Sequence, residues 1–121
     1  MKEWTWDITI EDRIALKSLL LQCRGTYAQQ LLSDKLISEI LSDEEQKRLD
    51  IHADAQAGMI VFRTADEKGK PINTSKKVKF GPEGRDLITR NLAMMDEAGM
   101  LERMYRHIYE LFILTPWPEP E

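Results

Sequence analysis

The sequence predicts an α+β fold, mostly helical, with three N-terminal helices, a small antiparallel β-sheet and two C-terminal helices. Three observations carry this prediction. Helix-capping patterns precede apolar runs in the first part of the chain. The middle turns to short stretches rich in strand formers. A Gly-Pro break then leads into two further amphipathic runs.

The first helix is expected over 10–23. Thr9 with Asp12 makes a near capping box, and the apolar face of Ile10, Ile14, Leu16, Leu19, Leu20 and Leu21 is wide enough for a central helix. Arg24-Gly25 ends it, with Gly25 expected as a left-handed C-cap. A second helix is expected over 26–41, where Leu32, Leu36 and Ile40 form one i, i+4 row. Ser42 and Glu45 form the clearest capping box and start a short third helix. Residues 50–54 and 59–64 read as short strands, and 66–74 as a polar loop with Gly and Pro. Residues 76–80 alternate charged and apolar groups around Val78 and Phe80, as a half-exposed edge strand does. Helices are expected over 82–98, with Gly99 as the C′ residue, and over 101–114. Residues 1–115 thus read as one domain, and 116–121 as a Pro-rich extended tail.

Composition narrows the class. The chain has 121 residues, 42% of them hydrophobic and 31% charged, which excludes a disordered chain. Cys23 is the only cysteine, so no intrachain disulfide can form, and its place at the end of an apolar helix reads as a structural thiol. The start lacks the apolar core of a signal peptide, and the longest apolar run is Leu19-Leu20-Leu21, so a cytoplasmic protein is expected. The net charge of −4 is unevenly placed. Residues 63–90 carry eight Lys or Arg against four acids, a local +4 beside a remainder of −8. One basic segment on an acidic body points to a specific anionic contact.

That segment supplies the main candidate site: Lys76, Lys77, Lys79, Gly81, Gly84 and Arg85. It sets cations beside a helix N-terminus, where backbone N–H groups and the helix dipole favour an anion. The alternative is a solvated edge strand whose charges guard against aggregation. Trp4 and Trp6 share a face if extended, and with Trp117 between two prolines they are candidate partner-binding aromatics. Core or subunit packing is the competing reading for the first two. Met94, Met95, Met100 and Met104 are expected to fill core gaps. His52 and His107 have no metal-ligand spacing, so neither metal nor cofactor is expected. Pairing of Arg103 and Arg106 with Glu102 and Glu110 explains the surroundings of His107 as a surface charge network. No catalytic constellation stands out, and the chain is expected not to be an enzyme.

Three helices followed by a hairpin would also suit a winged helix-turn-helix. However, the third helix opens with Asp43, Glu44 and Glu45, which phosphates would repel, so duplex DNA is disfavoured as a partner.

The stretches Ile8-Thr9-Ile10-Glu11-Asp12-Arg13-Ile14-Ala15-Leu16, Leu41-Ser42-Asp43-Glu44-Glu45, Val78-Lys79-Phe80-Gly81 and Tyr109-Glu110-Leu111-Phe112 resemble a pattern in small phage and prophage accessory proteins. The likeness lies in capping and apolar spacing over residues 8–112. Cys23-Arg24-Gly25 departs from the Pro/Gly-bearing loop it leads one to expect. The resemblance implies a phage-encoded, non-enzymatic binding protein. Such a protein would act as a homo-oligomer and counter host defence by sequestering a small anionic nucleotide signal or occluding a host protein. A DNA-binding regulator and a phage structural or assembly protein are the alternatives.

Overall fold

A computed structural model describes residues 4–22, 25–54, 59–63, 65, 67–72 and 75–115. The chain opens with a strand that the expected order of elements lacked, β1 (Trp4–Ile8). Three helices follow: α1 (Ile10–Leu21), α2 (Tyr27–Ile40) and α3 (Asp43–Arg48). The short strands β2 (His52–Asp54) and β3 (Met59–Val61) come next, then β4 (Lys76–Phe80) and α4 (Pro82–Glu97). The architecture is α+β and mostly helical. The strands form two separate two-stranded antiparallel ladders, where one small sheet was expected. β2 pairs with β3 from His52↔Val61 to Asp54↔Met59, and β1 pairs with β4 from Trp4↔Phe80 to Ile8↔Lys76.

The caps form where the hydroxyls stand. Thr9, Thr26 and Ser42 each accept a hydrogen bond from the backbone N–H three residues on. At Thr26 the cap is reciprocal, because the Gln29 side chain returns to the Thr26 N–H at 2.8 Å. Gly25 is not left-handed as expected. A Cβ there would collide with the Gln29 side chain, so its smallness serves the cap of the next helix. Gly99, with φ +69°, does end α4 in the left-handed conformation.

The segment expected as one helix over 101–114 is instead broken into three turns of different pitch. A 3₁₀ turn (Arg103–Tyr105) runs into a short α turn (Arg106–Tyr109) and then a π turn (Glu110–Leu114). Tyr105, Ile108 and Phe112 all reach the core, each 2% exposed or less, at the i, i+3, i+7 spacing that sets residues on one helical face. Tyr105 Oη lies 2.9 Å from both Ser18 Oγ and Gln22 Nε2, tying this segment to α1.

One core joins all layers, built on Leu16, Leu19, Ile40, Leu49, Phe80, Ile88, Leu92 and Ile108. Trp6 stacks against Phe112 at 6.4 Å, and Phe80 meets the same ring edge-on at 5.4 Å. Of the four methionines expected to fill core gaps, Met95 packs against the core. Met94, Met100 and Met104 are exposed instead, Met94 on the solvent side of α4 and the other two beyond its end at Glu97. Cys23, Arg24 and the tail 116–121 with Trp117 lie outside the described residues. No helix among the described residues is long and apolar enough to cross a membrane.

Candidate anion groove

The candidate site is built on β4. Its side chains alternate, so Val78 and Phe80 are buried while Lys77 and Lys79 stand exposed on the other face. Across the ladder Lys77 faces Asp7 and Lys79 faces Thr5. Gly81 caps α4 without any side-chain hydrogen bond, and Pro82 occupies the first turn, where its missing N–H costs nothing. Gly84 packs on α2: a Cβ there would sit 3.3 Å from Leu36 Cδ2.

Between these elements lies a groove of about 810 Å³. Lys76, Lys77, Val78 and Lys79 form one wall, and Leu32, Lys35, Leu36 and Glu39 of α2 form the other. Gly81, Pro82, Glu83 and Gly84 close one end. Five of the six sequence candidates, Lys76, Lys77, Lys79, Gly81 and Gly84, therefore meet at one place. The second wall was not foreseen, since Lys35 and Leu36 reach it only through the packing of α2 on α4. Four lysines against two glutamates leave the lining with a net charge of +2.

The lysines differ in what they do. The side chains of Lys35, Lys77 and Lys79 form no hydrogen bond or ion pair with any described residue. Lys76 is committed internally. Its Nζ donates to Glu39 O at 2.7 Å and to Glu45 Oε1 at 3.3 Å. Behind it Arg13, 2% exposed, donates Nε–H to Ile40 O at 2.8 Å and Nη2–H to Glu45 Oε2. Burial by itself would raise the Glu45 carboxyl. The Arg13 hydrogen bond and charge, reinforced by Lys76, hold it below the usual carboxylate range. Lys76 is thus a structural tie between β4 and α2, and the contact surface is left to Lys35, Lys77 and Lys79.

Arg85 does not join them. It lies over the Trp4 ring, 5.3 Å from the centroid, and faces a neighbouring depression of about 650 Å³ with Arg90, Phe112 and Ile113. Trp4 and Trp6 share a face of β1, as expected, but that face is half-buried against Arg85 and Phe112.

The surroundings of His107 also differ from the sequence reading. Arg106 does pair with Glu110, at 3.6 Å. His107 itself reaches Asp12, with Nδ1 2.7 Å from both carboxylate oxygens. Asp12 is 5% exposed, so the acid expected to complete a capping box is turned to another element. The Asp12 hydrogen bond, followed by its charge, raises the His107 imidazole above its ordinary value.

On α3, Asp43 and Glu44 face solvent, while Glu45 turns inward to Arg13. No group of three His, Cys, Asp or Glu converges among the described residues. Comparison with protein-family models, curated proteins and solved structures gave no match for this chain.

Proposed function

We propose that the chain is a non-enzymatic binding protein whose ligand is anionic and seats in the groove between α2, β4 and the start of α4. One observation carries the reading: Lys35, Lys77 and Lys79 stand on both walls of an apolar-floored groove with their charges uncommitted to described residues. Leu32 and Leu36 set apolar surface beside these exposed cations, so one ligand can combine a charged and an apolar contact there. In the phage setting that the resemblance implies, such capture would withdraw a small anionic signal or cover a host protein.

The test is calorimetric titration of the intact chain with a panel of mono- and dinucleotides, inorganic pyrophosphate and acidic peptides. A bound anion should lose at least about tenfold in affinity when Lys77 and Lys79 both become Glu, with the thermal midpoint unchanged. Arg85→Ala should leave the affinity alone. Undiminished binding in the double variant overturns the reading.

A further inference from the structure

The groove has a geometric property that narrows the ligand. Consecutive residues of a strand point to opposite faces, so a pocket lying over one face touches every second residue. Here Lys76, Lys77, Val78 and Lys79 all line the groove, although the Val78 side chain is buried in the core. A groove that meets four successive residues runs along the edge of the strand, beside its backbone. β4 has only β1 as a neighbour in its ladder, and no third strand pairs with it among the described residues. In an antiparallel pair, alternate residues turn their N–H and C=O groups away from the partner. On β4 those groups face the groove.

We infer that the ligand is an extended peptide segment of a partner protein, alternating acidic and apolar residues, which adds to the open edge of β4 as a third strand. The inference rests on the proposed anionic groove and specifies its occupant. Main-chain hydrogen bonds would supply the pairing, as in other cases of strand addition. The side-chain pattern follows from register. Residues set beside Lys77 and Lys79 lie on the exposed face and are acidic, while those set beside Val78 face Leu32 and Leu36 and are apolar.

The existing partner of β4 has part of this pattern on the other edge, with Thr5 and not an acid opposite Lys79. Asp7 stands opposite Lys77, and Trp6 stands opposite Val78. The ends of the groove bound the segment. Lys76 crosses to Glu39 at one end, and Pro82 with Glu83 closes the other, so about five residues fit and acids are favoured only at its centre. A second copy is a poor occupant, because pairing β4 with β4 would bring its lysines against each other.

The experiment titrates the intact chain into a fluorescein-labelled peptide of alternating Glu and Val and follows anisotropy. Two N-methylated versions block the amides of one peptide edge or the other, and a fourth peptide of the same composition carries its Glu residues in one block. The inference expects saturable binding of the alternating peptide, lost on N-methylation of one edge and kept on the other. It also expects at least tenfold weaker binding of the block peptide and of the Lys77→Glu, Lys79→Glu double variant. If that variant does not fold, the methylated pair still decides the matter on the native chain. Equal binding of both methylated peptides, or of the block peptide, overturns strand addition and leaves an anion groove standing. Binding of pyrophosphate or a nucleotide, sensitive to the double variant, without peptide binding does the same. If neither peptide nor compact anion binds, both the inference and the proposed function fall.

Discussion

Glu45→Gln isolates the charge at the centre of the Arg13–Glu45–Lys76 tie. Glutamine keeps the shape of glutamate and one carbonyl oxygen, so the reciprocal cap with Ser42 keeps its acceptor. What goes is the negative charge that compensates Arg13, which stays 2% exposed; with the amide oxygen kept by the Ser42 cap, the glutamine NH2 stands toward the guanidinium where Oε2 stood. Breaking a buried ion pair from one side costs about 3–5 kcal/mol. Water reaches Glu45, whose side chain is 20% exposed, and the amide retains one hydrogen bond, so a loss of about 2–3 kcal/mol is expected near neutrality. Urea denaturation of both proteins with a common slope measures it. The pH dependence follows from the depressed carboxyl. A carboxyl held below its unfolded value contributes fully above the ordinary carboxylate range and loses that contribution as pH falls through the folded value. The two proteins should therefore converge in acid. A difference below about 0.5 kcal/mol at neutral pH, or one that persists undiminished at about pH 3, would refute the reasoning.

Three further outcomes are expected. His107 has a raised value, so its contribution is complete below the ordinary imidazole value and lost as pH rises through the raised one. The stability gap between the native chain and His107→Ala should shrink from about pH 6 to about pH 8 and stay below about 1 kcal/mol, since the His107 side chain is 67% exposed. Tyr105→Phe removes the hydroxyl shared by Ser18 and Gln22 and should lower stability by about 1–2 kcal/mol, read from thermal unfolding. Gly84→Val forces a branched side chain toward Leu36, already 3.3 Å from an added Cβ. It should cost about 1–3 kcal/mol in the same measurement.

Local chemistry made much of this fold legible. Hydroxyls at Thr9, Thr26 and Ser42, the Gly81-Pro82 break and the left-handed Gly99 mark helix ends, and those ends fall within one or two residues of expectation. The parts that escaped depend on residues far apart in the chain. The pairing of β1 with β4 left no local trace beyond the spacing of Trp4 and Trp6. Nothing in the spacing around Arg13 marks it as buried, since Glu45 and Ile40 come beside it only in the fold. The division of the last helix into 3₁₀, α and π turns left no trace in the spacing, because Tyr105, Ile108 and Phe112 at i, i+3 and i+7 fit one face of an unbroken helix equally well. At the site, the charge cluster announced the β4 wall. Lys35, Leu32 and Leu36 were invisible as its second wall, because their sequence spacing fits an ordinary buried helix face.

The ladder that frames the groove also sets the order in which the molecule can be completed. β1 leaves the ribosome well before β4, and its whole register is with residues 76–80. Until those residues emerge, α1, α2 and α3 can form locally, but Trp6 and Ile8 have no strand to cover them. Such distant pairing is slow to form and keeps apolar surface open meanwhile. The β4 edge therefore exists only once this distant pairing has formed. A chain stopped before residue 76 holds α1, α2 and α3, and with α2 one wall of the groove, without the strand that forms the other.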